Sequence, residues 1–176
     1  MASTDNIQNG ASSACSEYQW EYDVFLNFGG DTRNNFTDHL YHALATDKGI
    51  KTFRDNEELE TGKPISLKLL EAIEKSRIAL VILSKKYVSS SWCLDELAKI
   101  LECMDAGRMR VLPIFYHVDP SDVRHLKGTI AEEFAKHVLR IFQNVHDQRF
   151  KEEKLQRWSA ALRRVANLSG HHVKDE

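Results

Sequence analysis

Residues 77–104 read RIALVILSKKYVSSSWCLDELAKILECM: an unbroken apolar run, a serine-rich corner, then an apolar residue every three or four positions. Arg77 to Ser84 is the most hydrophobic run in the chain and reads as a central strand covered on both faces. Ser89, Ser90 and Ser91 suit a helix start, because a serine oxygen accepts from the N–H groups that a first turn leaves over. Leu94, Leu97, Ala98, Leu101 and Met104 then recur at helical spacing as one apolar stripe. Glu96 lies off that stripe. At about 100° per residue it points nearly opposite Leu94, and Trp92, one turn earlier, shares its side. This places a carboxylate and a large aromatic in the first turn, on the face turned from the core. There the positive end of the helix dipole would keep Glu96 ionised. Taken alone, these residues describe a solvated glutamate beside a partly buried tryptophan.

The same alternation of strand and helix extends in both directions. Tyr22 to Phe28, YDVFLNF, is a buried strand ended by Gly29 and Gly30. Asp31 and Thr32 are candidate caps for a helix whose Phe36, Leu40, Ala43 and Leu44 share a face. Gly49 to Asp55 is a second, short strand, and a charged loop from Asn56 to Lys63 leads to Pro64. The next helix carries Ile65, Leu69, Ala72 and Ile73 in register. Arg110 to Val118 is a fourth strand, with Pro113 facing a gap or an edge because proline donates nothing to a ladder. His117 to Arg124 reads as a turn containing Pro120. Thr129 and Glu132 form a capping box for a helix through Phe134, Val138 and Ile141. A last helix aligns Leu155, Trp158, Leu162 and Val165. Asn167 to Gly170 stops it, and His171 to Val173 is a short final strand.

Strands alternating with helices on connections long enough for right-handed crossovers argue a three-layer α/β domain on a parallel sheet. In such sheets ligands bind beyond the C-terminal strand ends, where loops meet helix N-termini. The Ser89–Glu96 corner lies at that edge, which raises Glu96 from a surface residue to a functional candidate.

Composition narrows the classes. The chain has 176 residues, 42% of them hydrophobic, and a formal net charge of −2, so one domain with a packed core is expected and no global field recruits nucleic acid. Residues 1–20 are polar and aperiodic and read as a disordered leader without the apolar core of a signal peptide, with the folded domain spanning 21–176. No apolar run approaches the roughly 20 residues of a membrane span. Cys15, Cys93 and Cys103 form neither a disulfide framework nor a zinc spacing, and His171–His172 lacks a third ligand, so no metal is expected. A reduced cytoplasmic setting, with the nucleus as a further compartment, fits. Asp119-Pro120-Ser121-Asp122 reads as a proline turn held by Asx bonds, and the basic side with Lys154, Arg157, Arg163 and Arg164 as a solvated face. Ser84 ends the third strand where a phosphoreceiver would need aspartate, which removes that reading.

YDVFLNF (22–28), DTRNNFTDHLYHAL (31–44), GIKTFRD (49–55), ELETGKPIS (58–66), LLEAIEKSR (69–77), LSKKYVSSSWCLDEL (83–97), LPIFYHVDPSDVR (112–124) and NLSG (167–170) together resemble the TIR (Toll/interleukin-1 receptor) domain of plants. Such domains stand at the N-terminus of nucleotide-binding, leucine-rich-repeat immune receptors or occur as TIR-only proteins. The resemblance implies a flavodoxin-like fold, a five-stranded parallel sheet in order 2-1-3-4-5. It implies cleavage of NAD+ or NADP+ to nicotinamide and ADP-ribose-type signals that promote defence and cell death, with no cofactor beyond that substrate. Glu96 matches the catalytic glutamate. Phe28, Gly29, Gly30, Asp31, Arg54, Trp92 and Cys93 match the surroundings of the substrate. Asp55, Glu58, Gly62, Lys63, Pro64 and Ile65 match the loop that closes over the pocket and joins neighbouring TIR units, and Asp38-His39 matches a helix-to-helix interface. Other TIR domains are therefore the implied partners. Cys93 also matches the cysteine linked to cyclic-nucleotide synthesis on nucleic acid, an alternative activity, and a non-catalytic assembly module is a further alternative. Two departures stand out. Where the family has FRGEDTR, this chain has Phe28-Gly29-Gly30-Asp31-Thr32-Arg33: one residue fewer, and glycine in place of the pocket arginine. That loss would remove a charge-assisted bond worth about 1.5–3 kcal/mol, while the glycine pair would let backbone N–H groups approach a phosphate. The family's final helix is also expected to be absent, as in a fragment or a TIR-only protein.

Overall fold

The computed structural model describes residues 18–55 and 65–174. Strand β1 (Tyr22–Phe28) lies between β2 (Thr52–Arg54) and β3 (Ser76–Leu83). Beyond β3 come β4 (Arg110–Tyr116) and β5 (His171–Val173). Every pairing is parallel, in the expected order 2-1-3-4-5. The helices are α1 (Phe36–His42), prolonged by a π-helical turn at Ala43–Asp47, α2 (Leu67–Glu74), α3 (Ser91–Asp105), α4 (Pro120–His125), α5 (Gly128–Phe142) and α6 (Gln148–Ala166).

The apolar run in β3 divides by the two-residue period of a strand. Leu80 and Ile82 pack with Val24, Leu26, Phe28 and Ile114 against Phe36, Leu40 and Tyr41 of α1. Ala79, Val81 and Leu83 turn the other way, with Phe25 and Phe115, into the larger core that α2, α3, α5 and α6 share. Three layers result, and the second face holds most of the buried core residues. Pro113 sits opposite Val81 of β3, while pairing with β5 starts only at Ile114. Beside it Gly170 is obligatory, because a Cβ there would lie 2.3 Å from the Pro113 carbonyl oxygen. The proline thus stands where the β5 ladder has not begun.

Local signals did not all act where expected. Asp31 and Thr32 do not cap α1; the Asn35 side chain does, accepting from Phe36 N, and Asp31 accepts instead from Ser84 Oγ at 2.7 Å. Thr129 and Glu132 form no capping box, since α5 begins at Gly128 without a side-chain cap. Asp119-Pro120 opens a short helix rather than a turn. The Asp119 carboxylate accepts from Ser121 N, and proline occupies the first helical position, where its missing N–H costs nothing. Of the expected leader, residues 1–17 lie outside the described residues. Tyr18 and Trp20 are docked, the Tyr18 hydroxyl donating to the Glu74 carbonyl and Trp20 Nε1 to the Arg108 carbonyl at 3.1 Å.

Candidate functional site

Ser90 caps α3, its Oγ accepting from Cys93 N at 3.3 Å, as the serine run predicts. The face beyond it differs from the expectation. Glu96 is only 5% exposed and Trp92 8%, because α3 is enclosed by β1, β4, α2 and α6 and has no fully solvated side in its first turns. Glu96 points at the C-terminal end of β1, where Asn27 Nδ2 donates to its Oε2 at 2.8 Å. Asn27 is fully buried, and the Tyr87 hydroxyl donates to its Oδ1. Tyr87 also reaches the Cys93 carbonyl at 3.1 Å, which Asn27 Nδ2 approaches at 3.4 Å.

Burial decides the charge of Glu96. Removal from water pushes its carboxyl up to about 8; the Asn27 hydrogen bond and Arg33 oppose the shift, and Asp55 and Asp95 add to it. The carboxyl is therefore mostly protonated at neutral pH, and the helix-end field does not keep it ionised. Half-charges at a helix terminus contribute at most about 2 kcal/mol, less than the cost of desolvating a carboxylate. Cys93 is buried as well. Its Sγ donates to the Phe28 carbonyl at 3.1 Å, and burial pushes the thiol up to about 12, with Glu96 adding to the shift. A thiol so placed is inert at neutral pH.

A TIR domain model matches residues 21–176. The chain belongs to the TIR domain family. It is 48% identical to TMV resistance protein N of Nicotiana glutinosa over 90% of this chain, and 46% identical to disease resistance protein RPV1 of Vitis rotundifolia over 100% of it. It spans only 13% and 12% of those two proteins. The TIR domains in the structure of the activated Roq1 resistosome, which directly recognises the pathogen effector XopQ, superpose with a TM-score of 0.72 at 47% identity. That match covers 86% of this chain and 87% of the other.

Within this TIR domain, Phe28, Gly29, Asp31, Cys93 and Glu96 gather at the C-terminal sheet edge. Arg33, which sequence reasoning did not single out, joins them. Its guanidinium lies 5.0 Å from the Phe28 ring centroid and donates to the Asp55 carbonyl at 2.8 Å, tying the loop after β1 to the end of β2. Arg54 is held elsewhere, by Asp38 at 2.6 Å and by the Arg33 carbonyl. Asp38, on the helix that carries His39, is thus engaged within the chain. Trp92 packs in the core, its Nε1 without a hydrogen-bond partner among the described residues, so its ring is not laid open to a base. Ile65 is half-buried; Glu58, Gly62, Lys63 and Pro64 lie outside the described residues. Among the described residues, no three His, Cys, Asp or Glu side chains are placed to hold a metal.

The glycine pair now has two distinct meanings. A Cβ on Gly29 would lie 2.8 Å from Asp31 Oδ1 and 3.1 Å from the Tyr87 backbone, whereas a Cβ on Gly30 would meet nothing within 4 Å. A side chain at position 29 must therefore displace the Asp31 carboxylate and press on Ser84 and the Tyr87 backbone, whereas position 30 is open. Gly29→Arg is expected to lose about 1–3 kcal/mol by overpacking and Gly30→Arg to stay within about 0.5 kcal/mol of the parent. Urea denaturation of the two variants checks this, and equal losses would refute it.

Of the eight histidines, His137 alone is buried. It is buried against Trp158, 2.9 Å from Ser91 Oγ and 3.0 Å from Arg140, and burial pushes its ring down to about 4. It stays neutral and pins α5 to the first turn of α3.

Proposed function

We propose that this TIR domain hydrolyses the bond between nicotinamide and ribose in NAD+ or NADP+, releasing ADP-ribose-type signals in plant defence, and that it works as a self-associated assembly. The observation that carries the reading is a buried, hydrogen-bonded carboxyl, Glu96, at the C-terminal edge of a parallel sheet, where ligand sites of such sheets lie. Nicotinamide departs as a neutral molecule while the ribose becomes oxocarbenium-like, and a carboxylate held in a dry site stabilises that cation strongly. Water then adds to the anomeric carbon and releases a proton. Self-association draws its support from the resistosome relative. No helix among the described residues is long and apolar enough to cross a membrane, and the cytoplasm or nucleus is the proposed place of action. Cyclic-nucleotide synthesis at Cys93 is disfavoured by its buried, protonated thiol.

Because Glu96 ionises only near pH 8 in the free chain, the reaction has a signature. For NAD+ consumption by the concentrated, crowded protein, kcat/KM rises about tenfold per pH unit below that value and levels above it. Glu96→Gln lowers turnover by about a hundred- to a thousandfold. The near-complete enclosure of Glu96 and the missing arginine favour a second reading, an assembly module without useful turnover. If no nicotinamide appears at concentrations where light scattering shows assembly, that second reading replaces the first.

A further inference from the structure

Three groups that the proposed reaction does not use directly form one buried chain to Glu96: the Tyr87 hydroxyl, the Asn27 amide and the Cys93 carbonyl. Tyr87 and Asn27 are both fully enclosed. The amide has two ends of opposite character, an oxygen that only accepts and a nitrogen that only donates. Tyr87 donates to the oxygen end, and the nitrogen end stands 2.8 Å from Glu96 Oε2. Were the amide reversed, its oxygen would face Glu96, and two carbonyl-type oxygens in a dry site can share a hydrogen bond only when the carboxyl supplies the proton.

We propose that Tyr87 and Asn27 are positioning residues for Glu96: the tyrosine hydroxyl fixes the asparagine amide, and the amide N–H occupies Oε2, leaving Oε1 as the oxygen that exchanges a proton and faces the reacting sugar. The part of this that concerns the sugar rests on the NAD+ reading; the orientation of the carboxyl does not. The arrangement favours the ionised form, since an N–H donor strengthens its bond to a carboxylate and gains nothing from a neutral acid's hydroxyl. The other groups facing Glu96 are Asp55 at the end of β2, Asp95 on α3 and Arg33 ahead of α1, with the Cys93 thiol beside it. None of them is altered by changing Tyr87 or Asn27.

The test follows the Glu96 carboxyl itself. In protein carrying carboxyl-13C glutamate, the Glu96 resonance is the one lost in Glu96→Gln, and its titration is read by NMR. Asn27→Ala is expected to move that titration upward by about one to two pH units, the worth of a charge-assisted hydrogen bond. Tyr87→Phe, which keeps the ring and its packing, is expected to move it upward by about half a unit or more. Leu101→Ala, a core truncation on the same helix that touches none of the network, lowers stability and leaves the titration in place. If the reaction is as proposed, the kcat/KM limb moves by the same distance as the resonance. A folded Tyr87→Phe protein with an unshifted Glu96 titration overturns the proposal. If the titrations of the two variants shift while the wild-type protein releases no nicotinamide, the positioning role stands and the NAD+ reading is removed.

Discussion

Glu96→Gln is expected to match the wild type in stability near pH 4 and to exceed it by roughly 4–5 kcal/mol at pH 9. In the unfolded chain the carboxyl ionises near its ordinary value of 4.5; in the folded chain burial holds it protonated to about 8. Below the first value both states bind the proton and its energy cancels. Between the two values the unfolded chain releases the proton and the folded chain keeps it, so wild-type stability falls by about 1.4 kcal/mol per pH unit. Above the second value both states are ionised and the loss is complete. Glutamine does not titrate, and its side-chain oxygen can still accept from Asn27. Urea unfolding of both proteins across this range, compared pairwise so that other groups cancel, gives the answer. A difference that stays flat with pH would mean that Glu96 is solvated in solution, and the buried carboxyl behind the proposed chemistry would be lost with it.

Trp158→Ala is expected to cost about 3–5 kcal/mol. The indole is fully buried on α6, stacked on Phe142 at a centroid distance of 6.2 Å, and its Nε1 donates to Asp95 Oδ1 at 2.8 Å. Lys154 holds the same carboxylate at 2.9 Å and lies 5.4 Å from the Trp158 ring centroid. Truncation leaves both a large cavity and a carboxylate with one partner fewer. Trp158→Phe separates the two, removing the hydrogen bond while filling most of the space, and should cost about 1.5–3 kcal/mol, since the donor serves a charged acceptor. If the alanine variant lost less than the phenylalanine one, the packing account of the α3–α6 contact would fail.

Asp95 and Glu96 show why the fold was more legible than the site. The alternation of apolar runs with stripes of helical period states the sheet, because strand and helix periods are properties of short windows. The helical wheel also separates the two carboxylates by about 100°, but it assumes one core face. Helix α3 has the sheet on one side and α2 and α6 on others, so Glu96 becomes buried and protonated while Asp95 pairs with Lys154. Asn27 left a signal that went unused: it is the one polar side chain among the last five residues of YDVFLNF, all of them buried. Tyr87 left none, since an aromatic before a serine-rich corner looks like core. Arg33 gains meaning only from the loop that brings it over Phe28. The helix at Asp119-Pro120 was missed because six residues are too few for periodicity to appear.

The central place of β1 carries a consequence for biosynthesis. Its main partner is β3, with Tyr22 opposite Ser76, and β2 offers only three paired residues. The ribosome emits β1 first and must add about 50 residues before β3 begins, which takes roughly 3–10 s at ordinary elongation rates. For that interval the segment YDVFLNF is an apolar strand with both edges unpaired, the kind of segment that chaperones bind and that joins to its own copies. The strand that later buries Asn27 against Glu96 is thus the part of the nascent domain most in need of shielding.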